Sequence, residues 1–289
     1  MTAKRKKTSQ PSGKSILALI IFLLLVYVAY NPLSQALNKE SDPETSTTSA
    51  DTQEPGREGN IEIPAKLSDR PEQILERMTY TVSFNSELNL PNWVAWELTP
   101  EKLVEREGRT NKFEPDPDIR PEADAVTTDD YKGSGYDRGH MCPAADNRWH
   151  WRAMIQSFYM TNICPQTHKL NGGDWKELED KCRNWAQQEG SVYIVCGPLL
   201  DPNVEHKTIG SDHRVTVPER FYKVVLCTAC KTPRAIGFVF KNDKGNHPLS
   251  YYACSVDEVE SLTGIDFFPN LPDEIETVVE ANYNYAKWN

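Results

Sequence analysis

Asp137-Arg138-Gly139-His140 sets an acid, a guanidinium and an imidazole side by side, and Asn171, Glu179 and Arg183 follow in a polar, helix-favouring stretch. A histidine can take a proton near pH 7. An amide oxygen suits a hard cation, and guanidinium groups pair with phosphate oxygens. Together these are the groups that cleaving a phosphodiester would need. Singly, each has a plainer explanation: His140 as a structural histidine, Asn171 as a helix N-cap, and Glu179 with Arg183 as an i,i+4 surface ion pair.

The elements that must position these groups are readable in outline. Residues 171 to 188 predict one helix, in which Glu179 and Arg183 share a face and Asn171 stands about 80° and about 12 Å from Glu179. Residues 149 to 157 predict a short helix, and Phe158 to Asn162 a strand. Upstream, β-rich runs at Tyr80 to Asn85 and Asn92 to Thr99 suggest a hairpin. Downstream, Ser191 to Cys196, Phe221 to Cys227 and Arg234 to Lys241 read as central strands. Ser255 with Glu258 has the capping-box spacing for a helix that Gly264 ends, and Pro272 opens a last helix. Residues 105 to 134 are polar and proline-punctuated, a surface excursion of the kind that carries function. There is no internal repeat.

The chain has 289 residues, 38% of them apolar, enough for one sizeable core plus an N-terminal appendage. Lys4, Arg5, Lys6, Lys7 and Lys14 precede an apolar run from Ser15 to Tyr30. That pattern predicts a basic cytosolic flank (1–14), then a transmembrane anchor or signal segment (15–31) of about 24 Å, on the short side for a span. Ser34-Gln35-Ala36 offers a cleavage site, so a secreted form is the alternative. Positive charge on the cytosolic side would leave the catalytic part membrane-anchored outside the cytosol, periplasmic or extracellular. Residues 32–62 are rich in Ser, Thr and acids with little to bury and read as a disordered tether, leaving 63–289 as the folded domain.

The formal net charge is -10, and residues 61 to 289 carry -11 of charge against +6 on the first 39. Bulk charge therefore does not forecast a polyanion binder, and any attraction for nucleic acid must be local. Seven cysteines, Cys142, Cys164, Cys182, Cys196, Cys227, Cys230 and Cys254, fit an oxidising compartment. Their odd number leaves at least one unpaired. Cys142 and Cys164, beside the motif, suggest a disulfide near the site. Cys227-Thr-Ala-Cys230 could be half a zinc site with Cys196, His206 or His213, but a lone Cys-x-x-Cys is a weak signal.

The run Asp137-Arg138-Gly139-His140, then Asn162-Ile163-Cys164-Pro165-Gln166, then Leu170-Asn171-Gly172-Gly173-Asp174-Trp175 and Leu178-Glu179 resembles the DNA/RNA non-specific endonucleases of the ββα-metal (His-Me finger) superfamily. The resemblance covers about residues 75 to 285. It implies an α+β fold in which a ββα element packs on a mainly antiparallel central sheet flanked by helices, preceded by the N-terminal helix described above. It implies that His140 is the general base, that Asn171 is the direct ligand of Mg2+ (with Mn2+ as a substitute), and that Glu179 reaches the ion through water. Arg183, Arg109 and Arg138 match the cations that steady the phosphate, with Arg109 placed by the looser likeness of its segment. Asp137 and Asn162 are expected to support the site. DNA and RNA would be the substrates, the membrane a partner through the N-terminal segment, and a homodimer is compatible with the reading. Trp175 and Trp185 are expected in the core. The competing classes are a catalytically silent nucleic-acid-binding module and an envelope structural protein on the same fold.

Overall fold

The computed structural model describes residues 60–121 and 124–288, and the predicted flank, the anchor or signal segment and most of the tether lie outside the described residues. The principal sheet has seven strands in the order β1-β2-β3-β6-β9-β10-β11, every neighbouring pair antiparallel. These are β1 (Gln73–Glu76), β2 (Thr81–Asn85), β3 (Leu90–Leu98), β6 (Val192–Leu199), β9 (Arg220–Cys227), β10 (Arg234–Lys241) and β11 (Ala253–Cys254). Central strands are buried on both faces, which explains their nearly unbroken apolar sequences. Side chains alternate across the sheet. Val94, Trp96, Phe221, Val225 and Phe238 enter one core layer, while Trp93, Ala95, Tyr222, Val224 and Leu226 enter the other.

The first layer is roofed by the helix Asp174–Glu189, which buries Trp175, Leu178, Cys182 and Trp185 against the sheet. The second is covered by the helices Val256–Thr263 and Asp273–Ala281, through Val256, Val259 and Val279. Both behave as the sequence predicts at their ends. Ser255 accepts a hydrogen bond from the amide of Glu258, Gly264 stops the helix at φ 69°, and Pro272 opens the last one. Beside the first layer stands a separate ribbon, β4 (Asp137–His140) paired antiparallel with β5 (Ile163–Gln166), followed by a short helix, His168–Gly172. This is the expected ββα element. It is tied to the sheet by Asn242 at the end of β10, whose side chain donates to the carbonyl of Pro165 and accepts from the amide of Thr167. In chain order the remaining elements are a helix at Trp151–Gln156, a two-stranded pair β7 (Thr208–Ile209) and β8 (Val215–Thr216), and a helix at Leu249–Tyr252. The α-helices are numbered α1 (Trp151–Gln156), α2 (His168–Gly172), α3 (Asp174–Glu189), α4 (Leu249–Tyr252), α5 (Val256–Thr263) and α6 (Asp273–Ala281).

Two local expectations need correction. Asn171 does not open the long helix, because Gly173 (φ -110°, ψ -114°) breaks the chain between α2 and α3. The offset of about 80° and about 12 Å calculated for Asn171 and Glu179 on a single helix therefore does not apply. Phe158 to Asn162 is not a strand either. The strand begins at Ile163, after a 3-10 turn over Met160–Asn162, because the side chain of Asn162 is consumed locally by Cys142 and Ser157.

Gly139 explains why the ribbon can close. A Cβ there would stand 2.0 Å from Oε1 and 2.4 Å from Cδ of the fully buried Gln166. We expect Gly139→Ala to cost about 1–3 kcal/mol through overpacking. Gln166→Ala in the same chain should recover part of that loss, giving a coupling of at least about 0.5 kcal/mol in a urea-denaturation double-mutant cycle. Additive effects would show that the contact is not what constrains position 139.

Candidate active site

Alternation along β4 sends Arg138 and His140 to one face of the ribbon and Asp137 to the other. On the Asp137 face, α2 brings up two partners: Asn171 donates through Nδ2 to Oδ2 of Asp137 at 3.0 Å, and Nδ1 of His168 lies 2.9 Å from the same oxygen. Asp137 thus fixes the Asn171 amide with its nitrogen engaged, which leaves Oδ1 as the atom available to a cation. Asp137, Arg138 and Asn171 line one open cleft of about 560 Å³, together with Phe113, Tyr131, Lys132 and Tyr136.

On the other face, His140 is 8% exposed and sits between two aromatic rings, Phe158 edge-on at 4.8 Å and Phe113 at 5.4 Å. Each ring also carries a guanidinium, Arg138 4.3 Å from the Phe113 centroid and Arg109 5.6 Å from that of Phe158. Desolvation, followed by the charges of Arg109 and Arg138, lowers the His140 pKa to about 3. Its Nε2 is buried without a partner, and an imidazolium would need an acceptor at both nitrogens. The imidazole is held neutral. Arg109 and Arg138 are exposed, and neither stands in an ion pair among the described residues.

Glu179 and Arg183 belong to an adjoining buried charge cluster. Arg183 pairs through Nη1 with Asp146 at 2.9 Å and through Nη2 with Asp180. Asp146 is 1% exposed and also accepts from Trp96 Nε1 at 3.2 Å. Burial alone would weaken the Arg183 charge, but Asp146 outweighs it and keeps the guanidinium protonated. Glu179 is half-buried, and its pKa rises to about 7, first through desolvation and against the pull of Lys223 and Arg183. Lys223 is 1% exposed in the middle of β9, its ammonium 4.3 Å from the Trp175 ring and 5.2 Å from that of Trp96. Burial opposes its charge, yet Cys196, Cys182, Glu179 and Asp146 together raise its pKa. Trp175 joins the two clusters: its ring faces Lys223 and its Nε1 donates to the carbonyl of His140 at 3.2 Å.

The sequence-derived residues therefore fall into two groups. His140, Arg138 and Arg109 form one constellation, with Asp137 and Asn171 on the same ribbon and helix beside it. Arg183, expected among the cations that steady the phosphate, is paired with two carboxylates. Asn162 braces the turn behind His140, donating to the carbonyls of Cys142 and Ser157 and accepting from the amide of Cys142. Asp146, Lys223, Phe113 and Phe158 escaped the sequence reading. The signal for Lys223 was a lone cation inside the apolar run Arg220–Cys227.

The cysteines also differ from expectation. Cys227 and Cys230 form a disulfide, whereas Cys142, Cys164, Cys182, Cys196 and Cys254 are free and buried. The suggested disulfide at Cys142 and Cys164 is absent. The zinc alternative fails because its two thiols are bonded to each other, while His206 and His213 are engaged by Glu219 and Asp130.

Residues 58–274 match the family model described as DNA/RNA non-specific endonuclease. The mitochondrial nuclease EXOG of Xenopus laevis is 36% identical over 67% of this chain and 58% of its own length. A nuclease of Nostoc sp. is 35% identical over 75% of this chain and 81% of its own. The solved structure of EndoG in complex with EndoGI superposes with a TM-score of 0.67 at 27% identity, covering 78% of this chain and 96% of that one. The chain belongs to the DNA/RNA non-specific endonuclease family. It spans less than two thirds of the length of the EXOG relatives that it matches. Several relatives are named as mitochondrial nucleases, and among the described residues no helix is long and apolar enough to cross a membrane. These findings correct the expectation of a membrane-anchored catalytic domain outside the cytosol.

If Arg183 holds the site together through Asp146, truncating it strands a buried carboxylate. Arg183→Ala should lower the stability of the folded domain by about 3 kcal/mol, seen as a reduced urea midpoint. An unchanged midpoint would show that the ion pair with Asp146 does not hold the site together.

Proposed function

We propose that this chain is a metal-dependent, sugar non-specific endonuclease that hydrolyses phosphodiester bonds in DNA and RNA. The observation that carries this reading is the neutral, desolvated imidazole of His140, flanked by two exposed guanidinium groups, one of which, Arg138, lines the same cleft as an amide whose orientation is set by Asp137. The family match and the nuclease relatives support the same class of activity.

The residues present fit a hard divalent cation. Asn171 offers a neutral oxygen, the Asp137 carboxylate adds negative charge beside it, and no soft ligand lines the cleft. We assign the direct contact to Asn171 Oδ1, with Glu179 acting through water and Mg2+, or Mn2+ in its place, as the ion. When bound, the ion would neutralise charge developing on the phosphate and the leaving oxygen.

Everything else is work for the chain. Arg138 and Arg109 seat the phosphate. The imidazole of His140 takes a proton from water as the water oxygen bonds to phosphorus, and the bond from phosphorus to the 3′ oxygen breaks. The products are a 5′-phosphate and a 3′-hydroxyl whose proton comes from solvent. Contacts of this kind read backbone, so little sequence preference follows. A second consequence concerns the base itself. Burial depresses the pKa of His140 most, and the cations that add to it, Arg109 and Arg138, are those that the bound phosphate neutralises, so seating the substrate strengthens the base.

Two measurements test this. The purified protein should cut plasmid and RNA with Mg2+ and stop with EDTA, and His140→Ala should lose at least about 100-fold in rate while keeping the fold. Metal-dependent cutting that survives His140→Ala would rule out this base. A folded wild-type protein that binds nucleic acid without cutting it would point to a silent binding module. With a short oligonucleotide, activity should fall as acid protonates His140. The acid limb of kcat, which reports the substrate complex, should lie at higher pH than that of kcat/KM, which reports the free protein. Coincident limbs near pH 6.5 would contradict the coupling between Arg109, Arg138 and His140.

A further inference from the structure

On the far face of the sheet from the cleft, α5 and α6 bring acidic side chains together. One carboxylate oxygen from each of Asp257, Glu260 and Glu280 lies within 4.8 Å of the others. Glu280 is only 6% exposed, and its Oε1 is buried with no hydrogen-bond partner. Buried polar atoms are nearly always satisfied, so a buried carboxylate with an orphaned oxygen, grouped with two other carboxylates, calls for a ligand. Glu260 is held in place, its Oε1 accepting from the amide of Phe267 at 2.7 Å.

The surrounding field points the same way. Burial, then the carboxylates of Glu260, Glu276, Asp257 and Asp266, push the Glu280 pKa up to about 9. Glu260 is raised to about 7, again first by burial and then by Asp266, Asp257 and Glu276. Glu280 also lies in the last turn of α6, where the helix carbonyls add partial negative charge.

We propose that Asp257, Glu260 and Glu280 form a binding site for a divalent cation of calcium size that fastens α5 to α6. Oxygen ligands about 2.4 Å from a shared ion stand up to about 4.8 Å apart, so three oxygens within that separation can reach one ion, and calcium accepts irregular oxygen shells completed by water. The ion would cancel the mutual repulsion of the carboxylates and supply the partner that Glu280 Oε1 lacks. Its role is structural, because the site covers the second core layer and shares no residue with the cleft.

The test uses Asn171→Ala as background, so that the ion assigned to the cleft does not contribute. Calcium chloride titrated into this protein at pH 7.5 should bind at one site by calorimetry and raise Tm by about 3 °C or more at saturation. Glu280→Gln should abolish both responses, while the same substitution in the otherwise unaltered chain leaves Mg2+-dependent plasmid cleavage within about twofold. Should Glu280→Gln fail to fold, Asp257→Asn, at an exposed position, should weaken calcium binding at least about tenfold, or by about 1.4 kcal/mol. The proposal is overturned if calcium neither binds nor shifts Tm in the background protein, or if binding survives these substitutions. It also fails if Tm follows pH between 7 and 10 but ignores calcium, which would assign the place to a proton. Because cleavage is read separately, any of these failures leaves the reading of the cleft standing.

Discussion

Desolvation of one imidazole organises the site. His140 lies between the rings of Phe113 and Phe158, and the same rings carry the guanidinium groups of Arg138 and Arg109. The aromatic pair desolvates the imidazole and lays flat surfaces under the cations, so a single packing arrangement both depresses the histidine pKa and presents two positive groups outside any ion pair to solvent. In an acidic chain with net charge -10, that local concentration of positive charge is what can draw a phosphate.

The ββα element would be a loose ribbon without its anchors. Trp175 is the main one, since it bonds the His140 carbonyl and is itself packed over Lys223 in β9. Lys223 in turn is tolerated inside the core because Glu179 and Asp146 sit near it, and Asp146 is shared with Arg183 and Trp96. A chain of buried charges and indole rings therefore runs from the central sheet to the back of the histidine. Such clusters fix geometry, because removing any one partner leaves another charge unsatisfied in a low-dielectric interior.

The helix break at Gly173 shows how sequence spacing can misplace the residues that it singles out. Asn171 and Glu179 were read as members of one helix, and an ideal helix would have set their azimuth. The chain instead turns between them, and Asn171 is placed by Asp137 across a strand-to-helix contact. Arg183 illustrates the opposite case, where the helix was right but the partner was not, because the acid that claims it, Asp146, comes from a distant turn.

By itself, the sequence determined the principal strands β3, β6, β9 and β10, the caps of α5 and α6, the family, and the Asp137-to-His140 motif. These follow from local rules, namely apolar runs, capping residues and a short motif whose members are neighbours in the chain. Only the tertiary structure decided which charges are spent and which are free. Arg183 is bound to Asp146, Asn162 to the turn behind the histidine, and Cys227 to Cys230, while Arg109 and Arg138 remain open beside His140. Ion pairing, desolvation and hydrogen-bond satisfaction depend on distances between segments far apart in the chain, and no residue type or spacing encodes those distances.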